Sequence, residues 1–234
     1  MAGAQRALVA IVDNSIEPEI YNPVGHWSRY LAGRPWRAFV AREGEFPDPA
    51  EFGHIILTGS EASILERDPW VETEAELVRR AAAAGTAVLG SCWGHQLIAY
   101  ALAGPPSVGR CPCPEIGWIS VRVDKDGDML GPAGTVHHVF SVHFDEVRDL
   151  PAPFEVLAST EACRVHAFRL GDKPIWGLQS HPEIDIPDGT RTLRDFAARG
   201  SRGREGCLEA LKQKPRDSGL IRRVVTSFLD GGHL

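Results

Sequence analysis

Cys92 stands in the segment VLGSCWGHQLIAYALAG (88–104), where a strand-like apolar run meets a helical one across a few small residues. Gly90 and Gly94 flank it. A tight strand-to-helix turn with a strained central residue needs small neighbours, because larger side chains would strike the sheet or the helix. Such a turn lifts the sulfur clear of the carboxyl edge of a sheet. It also sets the sulfur at a helix N-terminus, whose partial positive charge favours thiolate and whose unpaired N–H groups can hold an oxyanion. A free cysteine is most often a small buried hydrophobe. The glycines and the strand-to-helix switch separate Cys92 from Cys111, Cys113, Cys163 and Cys207, which lack that setting. The chemistry this pattern offers is nucleophilic catalysis by a thiol.

A thiol nucleophile needs a base, and the chain has nine histidines. His181-Pro182-Glu183 fits best. Pro182 pushes residue 181 toward extended backbone, where residues i and i+2 project to the same side. Glu183 can then fix the tautomer of His181 and stabilise its charged form. The preceding PIWGLQS sets the pair at the end of an apolar strand, where open α/β sheets bind ligands. His95 is the rival base by nearness in sequence, but has no carboxylate close by in the chain. His137, His138 and His143 read as sheet-surface histidines without a metal-ligand spacing, and Cys111-Pro-Cys113 as a loop with two incidental thiols lacking a second pair. No metal site is expected.

Alternating elements would position these groups. ALVAIV (7–12), AFVA (38–41), HIIL (54–57) and TAVLG (86–90) read as buried parallel strands. Residues 24–32, behind Pro23, read as a helix. So does the segment capped by Asp68, opened by Pro69 and closed by Gly85, with Val71, Ala75, Val78 and Ala82 on one stripe and Glu76–Arg80 paired on another. A further helix ends at Gly104. The second half offers strands at 118–123, 135–143, 154–159, 164–168 and 174–181, then returns to helix in the C-terminal stretch, which is interrupted by a loop at Arg199–Arg204. The expected fold class is α/β: an open, mainly parallel sheet flanked by helices, with an added antiparallel strand region. One domain is expected over 1–234, with a core at about 7–198 and a helical extension at about 199–234.

Composition excludes several classes. Apolar residues make up 43% and charged residues 24%, which is ordinary for a globular protein. The net charge of −6 argues against a nucleic-acid binder, which needs a basic face. The longest run without Asp, Glu, Lys or Arg, Gly85–Gly109, is broken by Gly and Pro, so no membrane span is expected. Five cysteines and no secretory cleavage pattern at the start point to a reducing, cytoplasmic setting.

Three segments, in order, give the chain a family likeness. ILTGS (56–60), GSCWGHQ (90–96) and QSHPE (179–183) resemble the oxyanion strand, the nucleophile motif and the His-x-Glu motif of the class I glutamine amidotransferases. SVHFDEV (141–147) is similar to the loop that holds the substrate's amino-acid end. The likeness covers residues 7 to about 198 and implies the family's flavodoxin-like fold. It implies Cys92 as nucleophile, His181 as acid/base and Glu183 as its orienter. It further implies an oxyanion site from the N–H of Trp93 and one from the Gly59-Ser60 loop, and substrate contacts from Gln96 and the backbone near Val142-His143. The oxyanion loop departs from the common pattern, with Thr-Gly-Ser-Glu in place of consecutive glycines, and Ser180 stands where many members carry Phe.

The resemblance implies amide cleavage without metal or organic cofactor. In one reading the chain hydrolyses the γ-carboxamide of glutamine and supplies ammonia to a separate acceptor enzyme, because residues 187–234 read as helical packing too short for a synthase domain. In the alternative it is a free-standing hydrolase of γ-glutamyl peptides or γ-glutamylated metabolites. A third reading, a binding protein on a retired amidase scaffold, sits poorly with an intact Cys92, His181 and Glu183.

Overall fold

The computed structural model describes residues 8–127, 129–200 and 202–231. Ala7, Ser201 and the outer ends of the expected 1–234 domain lie outside the described residues. Nine strands form one sheet: β1 (Val9–Asp13), β2 (Trp36–Val40), β3 (His54–Leu57), β4 (Ala87–Ser91), β5 (Val108–Val123), β6 (Val136–Val147), β7 (Phe154–Ser159), β8 (Ala167–Leu170) and β9 (Ile175–Leu178). Their order across the sheet is β2-β1-β3-β4-β9-β8-β7-β5-β6. From β2 to β9 every pairing is parallel, and from β9 to β6 every pairing is antiparallel. The expected antiparallel region therefore continues the same sheet, with β9 as the strand shared by both halves.

Strand alternation sends side chains to two buried faces. Ala10, Val12, Ile55, Leu57, Val88 and Ile175 face helices α2 (Val71–Ala84) and α3 (Trp93–Ala103). Val9, Ile11, Ile56 and Leu89 face Trp27 of α1 (Pro23–Ser28) and, from α6 (Leu220–Leu229), Leu220, Val224, Val225 and Phe228. The last four, at helical spacing in the sequence, are all buried. Helices α4 (Ile186–Ala198) and α5 (Arg204–Ala210) cover the β5–β6 end around Phe140.

Several local expectations are corrected. Asp68 does not cap α2 with its side chain; the helix starts at Val71, whose N–H donates to the Asp68 backbone carbonyl at 2.9 Å. The C-terminal expectation holds, with Gly85 left-handed at φ 73°. Glu76 pairs with Arg79 at 3.2 Å, while Arg80 turns to a tertiary partner, Asp48, at 2.9 Å. Cys111-Pro-Cys113 is not a loop. It lies inside β5, where the register against β6 shifts between Arg110 and Glu115. Pro112 and Pro114 have no N–H for the ladder, and a bulge absorbs them.

Candidate active site

The chain turns from β4 into α3 at Cys92, whose φ of 47° and ψ of −104° are strained for a residue with a side chain. Two absent side chains make the turn possible. A Cβ on Gly90 would overlap the carbonyl of Gly94, and a Cβ on Gly94 would overlap the carbonyl of Leu57 at the end of β3. The Gly94 N–H donates to the Thr58 carbonyl at 3.1 Å, which ties the turn to the neighbouring strand. Trp93 is the first helical residue, and its N–H has no acceptor within the helix.

His181 arrives from the next strand. β4 and β9 pair in parallel with Ser91 opposite Leu178, so residues 89 positions apart leave the sheet side by side at its carboxyl edge. The Cys92 N–H donates to the Leu178 carbonyl at 2.8 Å. From the other side, the His181 N–H donates to the Phe140 carbonyl of β6 at 2.8 Å. The imidazole is held at Nδ1 by Glu183 Oε1 at 2.8 Å. Burial alone would lower the His181 pKa, but the Glu183 carboxylate and Cys92 outweigh it and raise the value to about 10. His181 thus carries its proton at neutral pH.

Glu183 is fully buried and takes a second bond at the same oxygen, from the Tyr21 hydroxyl at 2.8 Å. The Tyr21 ring also meets the His181 ring edge-on at 5.4 Å. Sequence reasoning missed Tyr21. It lies in the loop after β1 with no spacing that ties it to residue 183, and only the parallel sheet brings the two together.

Cys92 and His181 line a cavity of about 220 Å³. Ser60, Trp93, Gln96, Val142 and His143 line it too. The Cys92 sulfur lies 3.7 Å from the Val142 carbonyl oxygen. Gln96 spends its amide N–H groups on the Asp145 carbonyl at 2.8 Å and on Gln179 Oε1 at 3.3 Å, so it anchors the end of β6 as well as facing the cavity. Gly59 packs against the imidazole instead of lining the cavity, since a Cβ there would overlap His181 Cε1. At the rim, Arg110 Nη1 meets Asp145 Oδ1 at 2.8 Å, a pairing the sequence did not announce.

His95 is not placed to act as the base. Its ring is fully buried, stacked on Phe168 at 4.7 Å, with Nε2 at 3.1 Å from the Val165 carbonyl. Burial drives its pKa down to about 3, so it stays neutral. The expectation of three sheet-surface histidines is corrected for His143, whose side chain is fully buried among β5 and β6. His137 and His138 are partly exposed and bond to the Leu130 carbonyl and to Ser120.

No helix among the described residues is long and apolar enough to cross a membrane. The family model "Glutamine amidotransferase class-I" matches residues 12–199. A subunit of the glutamine-hydrolysing GMP synthase from Methanocaldococcus jannaschii is 37% identical over 134 residues, which are 57% of this chain and 70% of that protein. Its counterpart from Methanothermobacter thermautotrophicus is 32% identical over 151 residues, covering 64% of this chain and 80% of that one. In fold, the crystal structure of a glutamine amido transferase from Methylobacillus flagellatus superposes with a TM-score of 0.78, covering 97% of this chain and 96% of that one at 22% identity. With the elbow, the paired strands and four-fifths of its length matched, this chain belongs to the class I glutamine amidotransferase family.

Proposed function

We propose that this chain hydrolyses the γ-carboxamide of glutamine through a thioester on Cys92 and passes the ammonia to a separate synthetase subunit. The observation that carries this reading is that Cys92 and His181 line one cavity, with Glu183 holding the imidazole at Nδ1 at 2.8 Å. The relatives named as single subunits of glutamine-hydrolysing GMP synthase supply the partner part of the reading.

The Cys92 thiolate attacks the carboxamide carbon, and the carbonyl oxygen becomes an oxyanion. The N–H of Trp93 and one from the Gly59-Ser60 loop would stabilise it, each contributing about 3–4 kcal/mol. His181 gives its proton to the leaving nitrogen, the C–N bond breaks and ammonia departs. The neutral imidazole then takes a proton from water, whose hydroxide attacks the γ-glutamyl thioester. Glutamate leaves, and the thiolate–imidazolium pair is restored. Throughout, Glu183 holds the ring at Nδ1, and Tyr21 holds Glu183. Gln96, Val142 and His143 are the proposed substrate-contacting positions, through the backbone in the last two cases.

The test is glutamate release by the purified chain given glutamine, γ-glutamyl dipeptides or glutathione, first by itself and then with a candidate synthetase partner. Turnover of glutamine, accelerated by the partner, is the expected result. Turnover of γ-glutamyl peptides without turnover of glutamine would overturn the reading.

A further inference from the structure

Behind the cavity wall lies a second cluster whose side chains the proposed hydrolysis does not use. Glu115 and His143 face each other across the β5–β6 ladder. Cys163 sits in the turn between β7 and β8. The ligand atoms of Glu115, His143 and Cys163 lie within 4.8 Å of one another. The three come from three separate stretches of chain and converge below the surface; His143 and Cys163 are buried, and the Glu115 side chain is 10% exposed.

A fourth potential donor lies beside Glu115, at the edge of this group. His166 is 1% exposed, and its Nε2 has no hydrogen-bond partner. That atom lies 3.6 Å from Glu115 Oε2. A buried ring nitrogen without a bond is costly unless something else takes it. His143 is also oriented for a ligand's role. Its Nδ1 donates to the Asp145 carbonyl at 3.1 Å, which fixes the tautomer and turns Nε2 toward Glu115 at 2.9 Å. Cys163 is held by its own turn, its N–H on Thr160 Oγ1 at 2.9 Å and its carbonyl accepting the Thr160 N–H at 2.9 Å.

We propose that Glu115, His143, Cys163 and His166 form a binding site for a borderline-soft divalent cation of the zinc class. One thiolate, two imidazoles and one carboxylate are a donor set that suits such an ion and suits calcium or magnesium poorly. Around a tetrahedral zinc, donors stand roughly 3.3–3.8 Å apart, given bonds of about 2.0–2.3 Å. The present spacings are 2.9 Å from His143 to Glu115, 3.6 Å from His166 to Glu115 and at most 4.8 Å within the Glu115–His143–Cys163 group, so side-chain shifts toward a common centre complete the shell. Four protein donors close the coordination sphere, which marks a structural ion rather than a reacting one. Bound there, it ties β5, β6 and the 160–166 turn together directly behind Val142, whose carbonyl faces the Cys92 thiol.

The test uses the full chain carrying Cys92→Ala, so that the thiol in the cavity cannot bind the probe. After chelator treatment the protein is titrated with Co(II) alone. The expected result is one equivalent bound, with a thiolate-to-cobalt charge-transfer band and the intense visible bands of a four-coordinate ion. Zn(II) should displace the cobalt and raise the melting temperature. Cys163→Ser should abolish the charge-transfer band, and Cys113→Ser should leave it. His166→Asn should weaken cobalt binding at least tenfold. Absence of stoichiometric uptake overturns the proposal, as does a band that survives Cys163→Ser. If Cys163→Ser does not fold by circular dichroism, unchanged affinity in both His166→Asn and Glu115→Gln overturns it equally. The readout is metal uptake, so the outcome is independent of whether glutamine is hydrolysed.

Discussion

The Cε1 edge of His181 rests on Gly59: a methyl group at residue 59 would overlap that carbon and stand 3.3 Å from both ring nitrogens. The glycine whose loop is proposed to hold the oxyanion is therefore also the floor beneath the imidazole. Gly59→Ala should displace the ring or the loop while leaving the sheet intact. A misplacement of about 1 Å costs on the order of a hundredfold in rate. The expected outcome is a hundredfold fall in kcat for glutamate release with a melting temperature close to that of the parent. An unchanged kcat would mean the ring has slack that the packing does not suggest.

Tyr21→Phe removes one hydroxyl and keeps the ring that packs on His181. It leaves Glu183 Oε1 with one fewer charge-assisted hydrogen bond, a contribution of roughly 1.5–3 kcal/mol. Tyr21 acts through Glu183 on His181, so it is a positioning residue. The variant should lose about tenfold or more in kcat with little change in KM, and its pH–rate profile should move with the altered His181. A change confined to KM would place Tyr21 in substrate binding instead.

Cys92→Ala should abolish glutamate release, a loss on the order of 10⁴–10⁶-fold, with the fold retained. The two candidate bases separate by stability against rate. His181→Asn should remove turnover from a folded protein. His95→Asn opens the packing against Phe168 and loses the bond to the Val165 carbonyl, so it should lower the melting temperature and keep most of the turnover per folded molecule. The reverse order of activities would exchange their roles.

Two buried groups make stability fall as pH rises. Glu74 is fully buried beside Asn14, and burial holds its carboxyl pKa well above 4.5. The folded chain then keeps a proton that the unfolded chain gives up, so stability falls as pH climbs above 4.5, by about 1.4 kcal/mol per unit while the difference lasts. Glu74→Gln should raise the melting temperature at pH 7–8, with the gain vanishing toward pH 4. His181, raised from 6.5 to about 10, adds stability that is full below pH 6.5 and is lost between 6.5 and 10. Thermal melts across pH, compared between parent, Glu74→Gln and His181→Asn, check both slopes.

The elements that position the nucleophile were legible because their signals are local. Gly90, Gly94 and the abrupt change of period around Cys92 are all within one turn of it. The His181–Glu183 contact was legible for the same reason, since i and i+2 in an extended segment share a side. Tyr21, the Gly59–His181 contact and the Glu115–His143–Cys163–His166 cluster were not. Each joins residues from segments far apart in the chain, most of them in connections between strands, which sheet order brings together, and sheet order leaves no spacing in the chain. The side-chain cap assigned to Asp68 failed for a related reason: a favourable residue type two positions early was overridden by where the helix had to dock. Placing the antiparallel strands in the same sheet needed β9 to be recognised as shared, and a short apolar run does not say what pairs on each of its edges.

The placement of β4 beside β9 has a consequence for how such a protein can diversify. The segments that carry sulfur and imidazole leave the sheet from adjacent rungs of main-chain pairing, a placement set by backbone rather than by side chains. The segment carrying Arg202 at the mouth lies in the connection between α4 and α5 and is free of that constraint. Insertions there can recruit new docking partners or new amides while the reacting atoms keep their separation, so novelty at the entrance and constancy at the centre are separable by inheritance.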